Sequence, residues 1–66
     1  MQVRVNGKVR EVAEGITIQR LLEELGLHPM RVAVQRNLDI IKRERFEEVV
    51  LQPGDTLEVL TFMAGG

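Results

Sequence analysis

The sequence contains no cysteine, no excess of charge of one sign and no long hydrophobic run. The lack of cysteine excludes a disulfide framework, thiol catalysis and thiolate metal sites. Nine basic and ten acidic residues give a net charge of −1, so no basic field attracts nucleic acid or an anionic membrane. No apolar run approaches the roughly 20 residues of a membrane span, and no signal-peptide region is present. We therefore expect a cytoplasmic protein whose partners are neither nucleic acid nor membrane.

The chain is also short for a catalyst. With 66 residues, 44% of them hydrophobic and 29% charged, it should fold as one domain with one modest core. A pocket of roughly 300 Å³ is hard to enclose in such a domain. The single histidine, His28, has no partners from which a metal site or a catalytic triad could be assembled. We expect no enzyme activity, bound cofactor or metal in the chain itself.

The first residues predict a β-hairpin. Val3 and Val5 alternate with polar residues, and the following Asn6-Gly7 pair favours a type I′ turn. Val9 and Ala13 continue the inward alternation in this interpretation, which places Val12 on the opposite face. Val9 is therefore expected on the same face of the hairpin as Val3 and Val5.

An apolar stripe then predicts one helix with a single buried face. Thr17 is placed to cap its first turn, and Gly26 is placed to end it. The stripe has the spacing i, i+3, i+4, i+7 and consists of Ile18, Leu21, Leu22 and Leu25. Glu23 and Glu24 lie on the opposite, solvated side.

The second half predicts two or three further strands. Val32 and Val34 define a third strand, Ile40-Ile41 form a short strand after a turn, and residues 56–62 form the strongest strand. Phe46 anchors the charged segment 42–48, which includes Glu47 and Glu48, to the core. Ten residues form the predicted core: Val3, Val5, Ile18, Leu21, Leu22, Leu25, Val32, Val34, Leu57 and Val59.

This order of elements predicts an α+β fold with one main helix packed on one face of a mixed sheet of four to five strands. If the first strand lies beside the last, the two run parallel and the arrangement is a ubiquitin-like β-grasp. The predicted domain covers residues 1–62, and residues 63–66 form a flexible diglycine tail.

The tail contains the one group with distinctive chemistry. Two glycines, Gly65 and Gly66, lack Cβ atoms, so their backbone could enter a narrow channel. A terminal carboxylate could also be converted into a reactive acyl species. On composition alone, a frayed chain end explains the same residues.

Four segments resemble the ThiS family, the sulfur carriers of thiamine biosynthesis: residues 3–7, 17–25, 32–46 and 51–66. The most specific parts are the Asn37, Ile41, Arg43 and Phe46 set, the Pro53-Gly54-Asp55 turn and the Gly65-Gly66 pair. Two departures are mild. Arg20 replaces an acid expected after the helix start, and Met63-Ala64 stands where small aliphatic or glycine residues are common.

The resemblance implies a function for Gly66. A ThiF-type adenylyltransferase would use ATP to convert its carboxylate to an acyl-adenylate. A sulfur donor such as a cysteine desulfurase would then form a thiocarboxylate, which would donate sulfur to a thiazole synthase of the ThiG type. Gly65 would give Gly66 clearance in the partner's active site.

A partner-binding surface is expected beside the tail. If Leu57 and Val59 face the helix, Leu60 and Phe62 point to the open face of the sheet. Together with Met63 and Ala64, they are the predicted docking residues.

Three other functions remain open at this point. A sulfur carrier for molybdopterin synthesis or tRNA thiolation would share the tail chemistry. A ubiquitin-like modifier would be conjugated to lysine through Gly66. An interaction module would have an inert tail.

Overall fold

The computed structural model describes residues 1–62, which form five strands and one α-helix. The elements are β1 (Gln2–Val5), β2 (Lys8–Glu11), α1 (Ile18–Glu24), β3 (Val32–Arg36), β4 (Asp39–Ile41) and β5 (Thr56–Thr61). Two short 3₁₀ turns cover Pro29–Arg31 and Arg43–Arg45. The predicted flexible tail, residues 63–66, lies outside the described residues.

Strand β5 lies at the centre of the sheet, whose order is β2-β1-β5-β3-β4. It runs parallel to β1 and antiparallel to β3, so the sheet is mixed. The two hairpins, β1–β2 and β3–β4, flank it on either side. The predicted pairing of the first and last strands is therefore confirmed, and so is the β-grasp arrangement with one helix on one face.

Helix α1 covers the sheet with the predicted stripe. Ile18, Leu21 and Leu22 have no exposed side-chain surface. The Arg20 N–H donates to Thr17 Oγ1 at 3.1 Å, which confirms Thr17 as the N-cap. Gly26, with φ of +74°, ends the helix in the left-handed conformation that glycine adopts without strain.

The predicted orientation of Val9 is wrong. In the hairpin, Arg4 pairs with Val9 and Val3 pairs with Arg10, so Val9 lies on the open face, 55% exposed. The cause is the two-residue turn. Residues i and i+3 become partners on the same face, so the inward positions change from odd to even numbers across Asn6-Gly7.

The same change of parity corrects the end of the hairpin. Ala13 is exposed, whereas Val12 is buried. Val12, which an unbroken alternation would place on the opposite face, is therefore the residue that packs into the core.

Irregular segments supply a larger part of the core than predicted. Eight of the ten predicted residues are buried, while Val5 and Leu25 are half-buried and pack against the core. The predicted anchoring of the charged segment is confirmed, because the Phe46 side chain is fully buried. Four more buried residues lie outside the regular elements, in addition to Phe46: Val12, Ile16, Val49 and Leu51.

Backbone hydrogen bonds attach the irregular segment 46–51 to the start of the helix. The Ile18 N–H donates to the Val49 carbonyl at 3.2 Å, and the Gln19 N–H donates to the Phe46 carbonyl at 3.0 Å. The Leu51 N–H donates to the Ile16 carbonyl at 2.9 Å. Two of the first helical N–H groups thus find partners in the loop, which satisfies donors that a helix start leaves free.

Replacement of Leu22 by alanine should strongly destabilise the fold. Its side chain is fully buried in the core, so we expect Leu22→Ala to lower the free energy of unfolding by about 2–5 kcal/mol. Leu38→Ala is the control, because Leu38 is 87% exposed and a surface change should cost less than about 0.5 kcal/mol. Urea unfolding of both variants measures the difference, and equal losses would contradict the packing described.

A buried carboxylate fixes the start of β5. Asp55 Oδ2 accepts hydrogen bonds from the Gln52 N–H and Arg36 Nε, both at 2.8 Å, and Oδ1 accepts from Asn37 Nδ2 at 3.0 Å. Burial alone would raise the pKa of Asp55. These hydrogen bonds and the Arg36 charge outweigh burial and hold the pKa below its usual value.

The lowered pKa makes stability dependent on acid. The ionised Asp55 carboxylate stabilises the fold fully above its unfolded-state pKa of about 3.9. This stabilisation is lost as pH falls through the lower folded-state pKa. We therefore expect Asp55→Asn to be less stable than the unsubstituted protein at pH 7, with the difference shrinking below about pH 4. Asp39→Asn, at an exposed position, is the control. Urea unfolding from pH 7 to pH 2.5 tests this, and a constant difference would contradict it.

Candidate functional site

The candidate site begins where β5 ends. Leu57 and Val59 point into the core, and the alternation therefore turns Leu60 and Phe62 to the open face, where they are 64% and 57% exposed. The Phe62 N–H donates to the Arg31 carbonyl at 2.8 Å, which keeps the chain beside β3 as far as Phe62. The predicted orientation of both residues is confirmed, while their role in docking stays a prediction.

Two further residues extend this apolar surface across β3 and β4. Ala33 pairs with Leu60, and Ile40, 80% exposed, pairs with Gln35 on the same face. A shallow depression of about 100 Å³ lies between Ile40 and Leu60. We call Ala33, Ile40, Leu60 and Phe62 the open-face patch.

Ala33 and Ile40 were not among the predicted site residues. Ile40 could have been found from the two-residue turn at Asn37-Leu38, since such a turn pairs Gln35 with Ile40 on one face. Ala33 could have been found from its alternation with the buried Val32 and Val34. Ala33 lines the depression, and its small side chain fills little of it.

The titratable residues weighed in the sequence do not form a second site. His28 is exposed, and its Nδ1 accepts from the Met30 N–H at 3.1 Å, which caps a 3₁₀ turn. The Glu23-Glu24 and Glu47-Glu48 pairs are exposed. Within residues 1–62, no group of histidine, aspartate and glutamate side chains is arranged to hold a metal ion. In the same span, no helix has the length and apolar character needed to cross a membrane.

The remaining predicted site residues lie beyond the described part of the chain. Met63, Ala64, Gly65 and Gly66 follow Phe62 directly in sequence. The described part of the candidate site therefore consists of the central strand β5 and the open-face patch, which precede these residues.

A five-stranded mixed sheet with one helix on one face and an apolar patch at the end of its central strand defines a ubiquitin-like β-grasp protein. The family model described as "ThiS family" matches residues 3–66. The chain belongs to the ThiS family.

Individual relatives agree with this assignment. The chain is 40% identical over 65 residues to "Sulfur carrier protein ThiS" of Bacillus subtilis, covering 97% of this chain and 98% of the relative. The crystal structure of thiamine biosynthesis protein ThiS from Geobacter metallireducens superposes with a TM-score of 0.85 at 36% identity, and both chains are covered completely.

A third relative is much longer. The chain is 38% identical over 66 residues to a thiazole synthase of Paramagnetospirillum magneticum. The matched region covers 100% of this chain but only 20% of the relative. The chain thus spans about a fifth of that protein's length.

Removal of the two large exposed side chains tests the patch. Leu60→Ser/Phe62→Ser should leave the melting temperature nearly unchanged, because both side chains are more than half exposed. If the patch is a docking surface for the partners that the family resemblance implies, the change should weaken binding to a ThiF-type adenylyltransferase or a thiazole synthase, because apolar contact area is lost. Titration calorimetry with each enzyme measures the change.

Val9→Ser is the control for this experiment, since Val9 is 55% exposed on the same face but lies on the edge strand β2. A double variant that is folded and binds both enzymes as tightly as the control would show that the patch is not a docking surface.

Proposed function

We propose that the protein is a sulfur carrier for thiamine (thiazole) biosynthesis and that Gly66 is the residue that carries sulfur. The observation that supports this most is the family match, which extends through Gly65 and Gly66. Two relatives of similar length are named as sulfur carriers. The proposal requires Gly66 to be the last residue of the protein when it is activated.

The chemistry follows from the weakness of a carboxylate as an electrophile. An oxygen of the Gly66 carboxylate attacks the α-phosphorus of ATP, pyrophosphate leaves, and a mixed anhydride with AMP forms. A sulfur nucleophile then attacks the acyl carbon, and AMP departs with the bonding electron pair. If the nucleophile is a persulfide, a second thiol must attack the resulting acyl disulfide to release the thiocarboxylate.

The chain takes part in these steps as a cosubstrate. ATP and the activating groups belong to a ThiF-type adenylyltransferase in this proposal, and sulfur comes from a donor such as a cysteine desulfurase. The absence of cysteine suits this role, because an internal thiolate could intercept the activated glycine. We propose that the reaction takes place in the cytoplasm, where ATP is available.

The proposed acceptor is a thiazole synthase of the ThiG type. In the Paramagnetospirillum relative, a region similar to this whole chain occupies a fifth of a protein named thiazole synthase. That arrangement supports a partnership between the carrier and the synthase. The open-face patch, next to the end of β5, is the surface that we propose for docking on both enzymes.

Deletion of Gly66 should abolish ATP-dependent activation. A carboxylate remains on Gly65, but it lies one residue, at most about 3.6 Å, short of the reacting position. A displacement of about 1 Å can cost roughly a hundredfold in rate. Gly65→Val should be nearly as damaging, because a β-branched side chain stiffens the segment and widens it. ATP–pyrophosphate exchange with the adenylyltransferase measures activation.

A variant with one additional glycine after Gly66 is the matched control for length, and it should fail as the deletion does. The melting temperature of each variant reports on the fold separately. If the protein lacking Gly66 is activated as fast as the intact protein, the sulfur-carrier proposal is wrong. Lysine-linked conjugates in place of a thiocarboxylate would instead identify a ubiquitin-like modifier.

A further inference from the structure

Strand β1 pairs with β5 over only part of the length of β5. The parallel register joins Arg4 to Thr56 and Val5 to Leu57, and β1 then turns away at Asn6. The backbone contributes one more bond, from the Asn6 N–H to the Leu57 carbonyl at 2.9 Å. On this edge, the strand register ends five residues before Phe62.

The side chain of Asn6 continues the ladder where the backbone of β1 stops. The Val59 N–H donates to Asn6 Oδ1 at 2.7 Å, and Asn6 Nδ2 donates to the Val59 carbonyl at 3.1 Å. One primary amide therefore satisfies both backbone groups of Val59, as a neighbouring strand residue would do. The positive φ of Asn6, +51°, belongs to the hairpin turn from which the side chain reaches β5.

The residues just beyond Val59 are those of the candidate site. Leu60 and Phe62 follow it, and the opposite edge of this segment is held by β3, through the Val32–Thr61 pair and the Phe62–Arg31 hydrogen bond. Phe62 lies three residues, about 10 Å along the strand, beyond Val59. The Asn6 amide is thus placed to restrain the β1-facing edge of β5 just before the strand ends.

We propose that Asn6 is a positioning residue that holds the end of β5, and with it Leu60 and Phe62, in the arrangement that the activating enzyme binds. This inference rests on the proposed function. A binding-competent arrangement that is populated for only part of the time weakens apparent affinity by that fraction. Loss of the amide therefore raises KM, whereas kcat stays nearly constant because the bound enzyme orders the segment itself.

Asn37 provides a closely matched control. It also has a positive φ, +49°, and its side chain also makes two hydrogen bonds near β5. Its Oδ1 accepts from the Thr56 N–H at 2.9 Å, and its Nδ2 donates to Asp55 at 3.0 Å. These contacts lie at the start of β5, away from its end. Glycine at either position keeps the turn and removes only the amide.

The first measurement is amide hydrogen exchange on the intact chain, comparing Asn6→Gly with Asn37→Gly. In Asn6→Gly, we expect at least tenfold faster exchange of the Val59 N–H, with a smaller increase at Phe62. Asn37→Gly should instead accelerate Thr56 and leave Val59 unchanged. Equal exchange at Val59 in the two variants would overturn the proposal, whether or not the protein is activated.

The second measurement is ATP–pyrophosphate exchange with the adenylyltransferase, well below both melting temperatures. Asn6→Gly should raise KM for the carrier at least threefold with kcat changed less than twofold, and Asn37→Gly should leave both constants unchanged. An equal rise in KM for the two variants would show a general structural effect and overturn the positioning role. If the unsubstituted protein is not activated at all, the proposed function fails, and hydrogen exchange alone decides whether Asn6 restrains the strand.

Discussion

The hydrogen bonding of β5 along both edges is the constraint on which the rest of the structure depends. Its position between β1 and β3 joins two hairpins that are otherwise separate, and its side chains Leu57 and Val59 close the core beneath the helix. Both hairpin turns contribute an asparagine amide to it, Asn6 at Val59 and Asn37 at Thr56. Strand β5 is therefore held on both sides up to Val59 and on the β3 side as far as Phe62.

Regular periodicity explains which features the sequence predicted well. The i, i+3, i+4, i+7 stripe identified the helix and its buried face, and the alternation in residues 57–62 identified the side on which Leu60 and Phe62 are exposed. Prediction failed where the period is interrupted. The two-residue turn at Asn6-Gly7 reversed the parity and put Val9 outside, and Ile16, Val49 and Leu51 are buried from loops that have no period. Packing between segments that are distant in sequence determines the burial of these residues, and a local sequence pattern carries no information about that packing.

The candidate site was predicted only in part for the same reason. The sequence pointed to β5, but Ala33 and Ile40 reach the patch through strand pairing between distant segments. Asn6 meets Val59 across 53 positions of sequence, a contact that no local motif announces. A β-grasp domain, an apolar patch and a glycine pair beyond it suit the proposed function, in which the protein delivers its own backbone to other enzymes. In that proposal, membership in the ThiS family supplies the chemistry of the delivery.

The most direct test of this account is the mass of the fragment that contains Gly66, measured on protein purified from its native host. Exchange of one carboxylate oxygen for sulfur adds about 16 Da, and fragments that begin after Met63 exclude methionine oxidation as the source. The account predicts this increase on a fragment that ends at Gly66, and its loss when the adenylyltransferase is removed from the host. Further residues after Gly66, or a carboxylate that is never modified while the host makes thiamine, would contradict it.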